Sequence, residues 1–193
     1  GSRMAQNGDR RIRKTKKAMT AALAALLSEK PLNNISVREI SDLADINRGT
    51  FYLHYRDVYD MAEQIQNEIF EKFNEIVEQH EPAKGGDELF PMLVELFYLL
   101  SDNAELATVL IGKNGNAAFV DEMKQVIREK CFVNLQKTFH IKNNDEFDYF
   151  YHYIVSGCIG ICSAWLCGGR KEPPSEMARL TERLILNGAD ILK

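Results

Sequence analysis

Apolar residues in this chain return every three to four positions almost from end to end, and no stretch alternates as a strand would. That repeat commits the backbone to helices. An apolar stripe recurring every 3.6 residues lies along one face of an α-helix, whereas a half-buried strand needs a repeat of two. The first stripe is Ile12, Met19, Ala22, Leu23, Leu26 and Leu27, and it stops before Pro31. Ser36 then supplies an N-cap hydroxyl for a short helix with Val37, Ile40, Leu43 and Ala44 facing inward. Glu39 stands where a carboxylate completes a capping box. Asp45-Ile46-Asn47 read as a tight turn, and a second short helix covers Arg48 to Tyr55. Asp57 caps a long helix whose inward row is Val58, Met61, Ile65, Ile69, Phe73 and Ile76.

A loop is expected at Glu81-Pro82-Ala83-Lys84-Gly85-Gly86, because Pro and paired Gly interrupt a helix. Helical patterns resume over Asp87 to Leu100, Ala104 to Ile111, Ala117 to Phe139, Asp145 to Leu166 and Pro174 to Leu192. Gly112 to Gly115, Asn143-Asn144 and Gly168-Gly169 separate them. The fold class is therefore all-α. With 193 residues the chain can bury a core without disulfide or metal staples. Only 5 Pro and 12 Gly, with 45% hydrophobic residues, exclude collagen-like, mucin-like and disordered chains.

Charge is divided unevenly. Residues 1–60 hold eleven Lys and Arg against seven Asp and Glu, while the remainder holds 13 against 21. A basic front and an acidic back suggest a polyanion-binding module joined to a second part. The front also contains two short helices joined by about three residues, the helix-turn-helix arrangement in which the second helix enters the DNA major groove. Ile46, Phe51 and Tyr55 can lock that second helix from below. Arg48 and Tyr52, four residues apart, project from the other face. Asn47 caps the helix, leaving its positive end free to meet a phosphate.

The segment Ser36 to Met61, above all Thr50-Phe51-Tyr52-Leu53-His54-Tyr55, closely resembles the N-terminal domain of the TetR family of bacterial transcriptional regulators. Lys14, Lys16 and Lys17 before the first stripe fit the same pattern, and the helix layout extends the likeness along the chain. The tail Trp165-Leu166-Cys167-Gly168-Gly169, followed by Pro173 to Ala178, looks like one subgroup. The resemblance implies an N-terminal three-helix helix-turn-helix domain followed by a larger helical dimerisation and effector domain. It implies that Arg38, Arg48 and Gly49 meet base edges, while Thr50, Tyr52 and His54 meet phosphate or sugar. An arginine can bond guanine bidentately, worth roughly 1–3 kcal/mol of discrimination. Lys14, Lys17, Ser36, Asn47 and Arg56 complete the expected DNA-facing set. Two positions depart from the pattern. Asp45 stands where the family usually has Gly, and Val58 stands where it often has a phosphate-gripping Lys, a role Arg56 can take over.

Three regions are expected: a disordered tag and tail over residues 1–9, the DNA-binding domain over 10–59, and the helical dimerisation and ligand-binding domain over 60–193. Gly1 to Arg3 read as a cloning remnant ahead of Met4. From Tyr149 to Gly169 no charged residue occurs, a length that matches a bilayer span. Its rings, His152, serines and glycines fit a buried helix better, so no membrane is expected. Gly157, Gly160, Ala164 and Gly168 form a flat stripe there. The resemblance assigns this stripe, with Leu180 and Leu184 on the last helix, to a homodimer interface. Phe97, Tyr98, Met123, Ile127, Phe147, Tyr151 and Trp165 are candidates to line a small-molecule site, or to fill plain core.

Chemistry is otherwise sparse. Cys158 and Cys162 have the spacing of a zinc pair, but a structural site takes four ligands and no second pair accompanies them. His54, His80, His140 and His152 are scattered, and no phosphate-binding glycine loop occurs. No enzyme activity, metal or cofactor is expected. The start carries no secretory pattern, so the four cysteines are expected to be reduced in the cytoplasm. The expected partners are a double-stranded DNA operator, a second copy of the chain and a small-molecule effector. The reading is a repressor released by that effector; the alternative is a dimeric helical activator or scaffold without one.

Overall fold

The structure is a computed structural model that describes residues 2–80, 89–113, 115–138 and 142–190. The loop expected at Glu81 to Gly86, and the helix ends expected at Asp87, Phe139 and Leu192, lie outside those residues. Among the described residues every regular element is helical: α1 Ser2–Glu29, α2 Val37–Leu43, α3 Arg48–Tyr52, α4 Val58–Gln79, α5 Leu89–Asp102, α6 Ala104–Ile111, α7 Ala117–Thr138, α8 Asn144–Cys167 and α9 Pro174–Asp190. A single 3-10 turn, Leu32–Asn34, follows α1. The all-α class stands.

The chain divides into two compact units, Gly1–Ile69 and Phe70–Lys193. In the first, α1 packs on α2 and α2 on α3. The core holds Met19, Leu23, Ile40, Phe51 and Met61 at 0% exposure, with Tyr55, Val58 and Ile65 nearly as deep. Truncating a ring such as Phe51 costs roughly 3–5 kcal/mol. Ser36 and Glu39 form the capping box, each bonding the other's backbone N–H. Lys30 also pairs with the Glu39 carboxylate. After α2 the chain turns through a Schellman motif. The N–H of Asp45 donates to Asp42 O and that of Ile46 to Ser41 O, with Asp45 left-handed at φ 54°.

Several expectations need correcting here. Leu43, assigned inward, is 59% exposed, because α2 buries the face that carries Ile40 and Ser41 and Leu43 lies roughly 110° round the helix from its centre. Ile12 is 47% exposed, about two turns before Met19, where the α1 core begins. α3 ends at Tyr52, not Tyr55. The chain must leave the helix early enough for Asp57 to cap α4, which it does by accepting from Asp60 N at 2.8 Å. α1 starts at Ser2, within the segment expected to be a disordered tail. The side chains of Met4 and of residues 6–9 are all exposed. The units divide inside α4, beyond the expected boundary at residue 59.

In the second unit α5 packs on α9, α6 on α7 and α8, and α8 on α9. Phe97 and Trp165 meet edge to face, centroids 5.4 Å apart. The Trp165 Nε1–H donates to Glu172 O at 3.0 Å, tying the α8–α9 turn to the core. That turn is a second Schellman motif, with Gly169 left-handed at φ 87°. Arg170 reaches from it to Ser101 at the end of α5. On the inner edge of α4, Phe73 and Val77 pack with Cys131, Met123, Val126 and Ile127.

Candidate nucleic-acid interface

α3 has two unlike faces. Phe51 is fully buried and its ring lies tilted against that of Tyr55, centroids 5.7 Å apart, which anchors the helix. Arg48 and Gly49 are exposed, and Tyr52 is 56% exposed with its ring edge-on to Phe51. The pair therefore projects one turn apart from a short helix fixed from below. Asn47 sets the start: its Oδ1 accepts from Thr50 N at 2.8 Å and from the Thr50 hydroxyl at 3.1 Å. A Cβ on Gly49 would lie 3.2 Å from that same Oδ1, so glycine keeps the cap uncrowded.

The flanking polar groups differ in how free they are. Arg38 is exposed and sits 3.8 Å from Asp42, a pairing in water worth at most about 1 kcal/mol. A stronger anion or a base edge can take that guanidinium over. Ser36 is committed to its cap, donating to Glu39 Oε2 at 3.1 Å while accepting from Glu39 N. Lys30 and then Ser36 hold the Glu39 carboxyl down to about 2, well below its ordinary value. Arg56 is 86% exposed and its backbone N–H donates to Asp60 at 2.9 Å. That bond, helped by the Gln64 amide, lowers the Asp60 carboxyl. Lys14 and Lys17 are exposed on α1, and His54 is half-buried beside Tyr55. The Lys16 ammonium lies 5.9 Å from the Tyr55 ring centre. Burial pushes the Tyr55 phenol up to about 12, so it stays neutral beneath that cation.

The second unit holds the other two groups of candidate residues. Phe97, Phe147, Tyr151 and Trp165 are buried, Met123 and Ile127 are half-buried, and Tyr98 is 49% exposed. They fall into separate clusters: Phe97 with Trp165, and Met123 and Ile127 against Phe73 and Val77. Tyr151 donates to Lys124 O at 3.2 Å. Gly157, Gly160, Ala164 and Gly168 are exposed along α8, as are Leu180 (44%) and Leu184 (50%) on α9. An open groove of about 660 Å³ runs beside them, lined by Ala164, Trp165, Gly168, Leu180 and Arg183 among others. Cys158 and Cys162 are partly buried, and desolvation pushes their thiols up to about 11 and about 12.

Known proteins decide the family. The family model described as bacterial regulatory proteins, tetR family, matches residues 20–65, and that described as transcriptional regulator C-terminal region matches residues 87–187. The chain belongs to the TetR family. A relative, the uncharacterized HTH-type transcriptional regulator YxbF of Bacillus subtilis (strain 168), is 27% identical over 176 residues. That alignment covers 89% of this chain and 44% of YxbF, so the chain spans less than half of that relative's length. Among solved structures, the transcriptional regulator FadR from Bacillus subtilis in complex with stearoyl-CoA superimposes with a TM-score of 0.66 at 17% identity, covering 91% of this chain and 98% of FadR. The dihydroxyacetone kinase operon activator DhaS gives 0.62 at 18% identity, covering 93% of this chain and 98% of DhaS. At these identities the two likenesses establish a shared fold.

Reading the TetR pattern from sequence passed over three sets of exposed residues. Arg10, Arg11 and Arg13 stand on α1 ahead of the expected Lys14 and Lys17, and a charge count over residues 10–17 was the available signal. Leu53 is 81% exposed just after α3, where the helical repeat predicted nothing for it. Tyr149 and Tyr153 are 78% and 73% exposed on α8. They sit four residues apart in line with Gly157, so the stripe of small residues continues into two aromatic rings.

Proposed function

We propose that this chain acts in the cytoplasm as a homodimeric repressor that occupies an operator and is released by a small-molecule effector. The observation that carries the DNA reading is Arg48 and Tyr52 standing exposed one turn apart on α3 while Phe51 between them is fully buried. A helix fixed in this way can lie in the major groove with its first turn against base edges. Arg48 then reads a guanine edge and Arg38 a second base. Thr50, Tyr52 and His54 hold phosphate or sugar, with Lys14, Lys17, Ser36, Asn47 and Arg56 around them. Gly49 permits close approach. Binding, not turnover, performs the task.

Dimerisation follows from the same chemistry. One short helix reads only a few base pairs, and a two-fold partner doubles the contacts. The exposed small residues of α8 with Leu180 and Leu184 offer the surface for it. Selection of bound sequences from a random duplex pool tests the reading. An inverted repeat with half-sites about one or more helical turns apart is expected; a pool that stays random excludes sequence-specific regulation.

The effector half of the proposal is supported by the likeness to FadR from Bacillus subtilis, whose structure is a complex with stearoyl-CoA. The class it suggests is a long-chain acyl thioester. Titrating stearoyl-CoA into the complex with a selected duplex should release the DNA. Retention of the complex through saturating ligand removes this class.

A further inference from the structure

The inward row of α8 includes Tyr151, Val155, Cys158, Cys162 and Trp165, and the two cysteines interrupt its burial. Tyr151, Val155 and Trp165 are buried, whereas Cys158 and Cys162 are partly exposed and carry no disulfide. The row therefore opens to solvent over one turn in its middle. The two residues are four apart, so they share a face with Cβ atoms about 5–6 Å apart. Burial pushes both thiols up, Cys158 pushes Cys162 up further, and no charged side chain contributes. That spacing excludes some chemistry and admits other. A disulfide needs Cβ atoms about 3.5–4.5 Å apart, so the pair cannot form one while α8 stays helical. Structural zinc takes four ligands, and among the described residues no group of three or more His, Cys, Asp or Glu is placed to hold a metal. A single atom bridging two sulfurs in line does fit. With about 2.3 Å for each metal–sulfur bond, as in zinc sites, the sulfurs of such a bridge stand about 4.6 Å apart. Side chains one turn apart supply that span without bending the helix.

We infer that Cys158 and Cys162 form a two-coordinate site on α8 for a soft divalent metal ion of the mercuric class. Thiolate sulfur selects soft ions over hard ones. Binding breaks two S–H bonds, forms two metal–sulfur bonds and releases two protons to solvent. No electron is transferred. One divalent ion and two thiolates make a neutral product, and neutrality decides the class of ion. The enclosure that keeps the free thiols protonated also penalises any charged complex. A monovalent soft ion such as Cu(I) would leave a net negative charge in that setting, and a divalent one leaves none. The site lies wholly on one helix of the second unit, so it depends neither on the DNA reading nor on a second chain.

The test titrates mercuric chloride into the reduced full chain against excess glutathione, a monothiol that strips metal from single cysteines. A pair held on one helix binds both arms of the metal at once, and that gain in effective concentration is lost when either thiol is removed. Cys158→Ser and Cys162→Ser should each lower affinity by about 10²-fold or more, while Cys131→Ser and Cys167→Ser leave it unchanged. Circular dichroism verifies that all four variants are folded. Intact-mass measurement should find one mercury on a single chain, and X-ray absorption should find two sulfur neighbours. Several results overturn the inference: affinity that survives both Cys158→Ser and Cys162→Ser, one mercury joining two chains, or a third sulfur on the metal. Zinc chloride, run as a parallel arm, should be stripped by the same glutathione. Zinc retained by the pair would require further ligands and would overturn the two-coordinate site.

Discussion

Asp45 and Gly169 occupy the same position in two copies of one motif. Each follows a helix, each is left-handed, and in each the next residue's N–H closes the 6→1 bond, to Ser41 O and Trp165 O respectively. Glycine takes that conformation without penalty, while an L-residue brings its Cβ close to the carbonyl and pays part of about 1–2 kcal/mol. Aspartate pays less than most, which is why the turn between α2 and α3 forms without glycine. Asp45→Gly is therefore expected to raise the stability of the first unit by roughly 0.5–1 kcal/mol, read as a higher urea midpoint. A lower midpoint would show that the Asp45 side chain stabilises the turn in some other way. Ser41 is the contrasting residue: it is 2% exposed and, among the described residues, its hydroxyl meets no hydrogen-bond partner.

At the scale of single elements, the capped start of α2 makes a pH-dependent contribution. Glu39 accepts from Ser36 and pairs with Lys30, and its carboxyl is held at about 2 against an ordinary 4.5. A carboxyl lowered by folding stabilises the fold fully above its unfolded value, and that contribution is lost as pH falls through the folded one. The first unit should therefore lose stability between about pH 4.5 and about pH 2. Glu39→Gln should flatten thermal unfolding midpoints across that window and lower them at neutral pH. Equal acid sensitivity in the variant and the parent would assign the transition to other carboxyls.

The caps and stripes behind such elements are local, and so they were legible. Ser36, Glu39, Asn47 and Asp57 cap as their spacing predicts, and α6 begins and ends at the expected residues. What local pattern misses is decided by packing. Leu43 matches the apolar repeat of α2 but lies off the face that Ile40 and Ser41 bury, and the end of α3 is fixed by the next helix's cap rather than by its own residues. The candidate DNA face was legible because Arg48 and Tyr52 need only one helical turn to be aligned. The candidate ligand residues were not separable from core, because aromatic side chains that fill space and those that would line a site have the same composition.

At the scale of the whole molecule, the proposal places the function in a pair of chains. α8 is long and apolar enough to cross a membrane by length and composition, yet one face of it packs into the second unit through Phe147, Tyr151, Val155 and Trp165. Its other face exposes Tyr149, Tyr153 and the small residues, with Leu180 and Leu184 on α9. A second copy seated there would cover apolar surface that water now meets. Leu184→Glu is expected to shift sedimentation at micromolar concentration from dimer toward monomer and to weaken operator binding together with it. A variant that sediments like the parent moves the interface elsewhere.

The central claim is that the exposed face of α3 reads DNA, and a gel-shift titration of Arg48→Ala against a selected and a random duplex addresses it most directly. The account expects the variant to keep its fold and its random-duplex affinity while losing roughly tenfold to hundredfold preference for the selected sequence, the loss of one bidentate base contact. An unchanged ratio of the two affinities would contradict it.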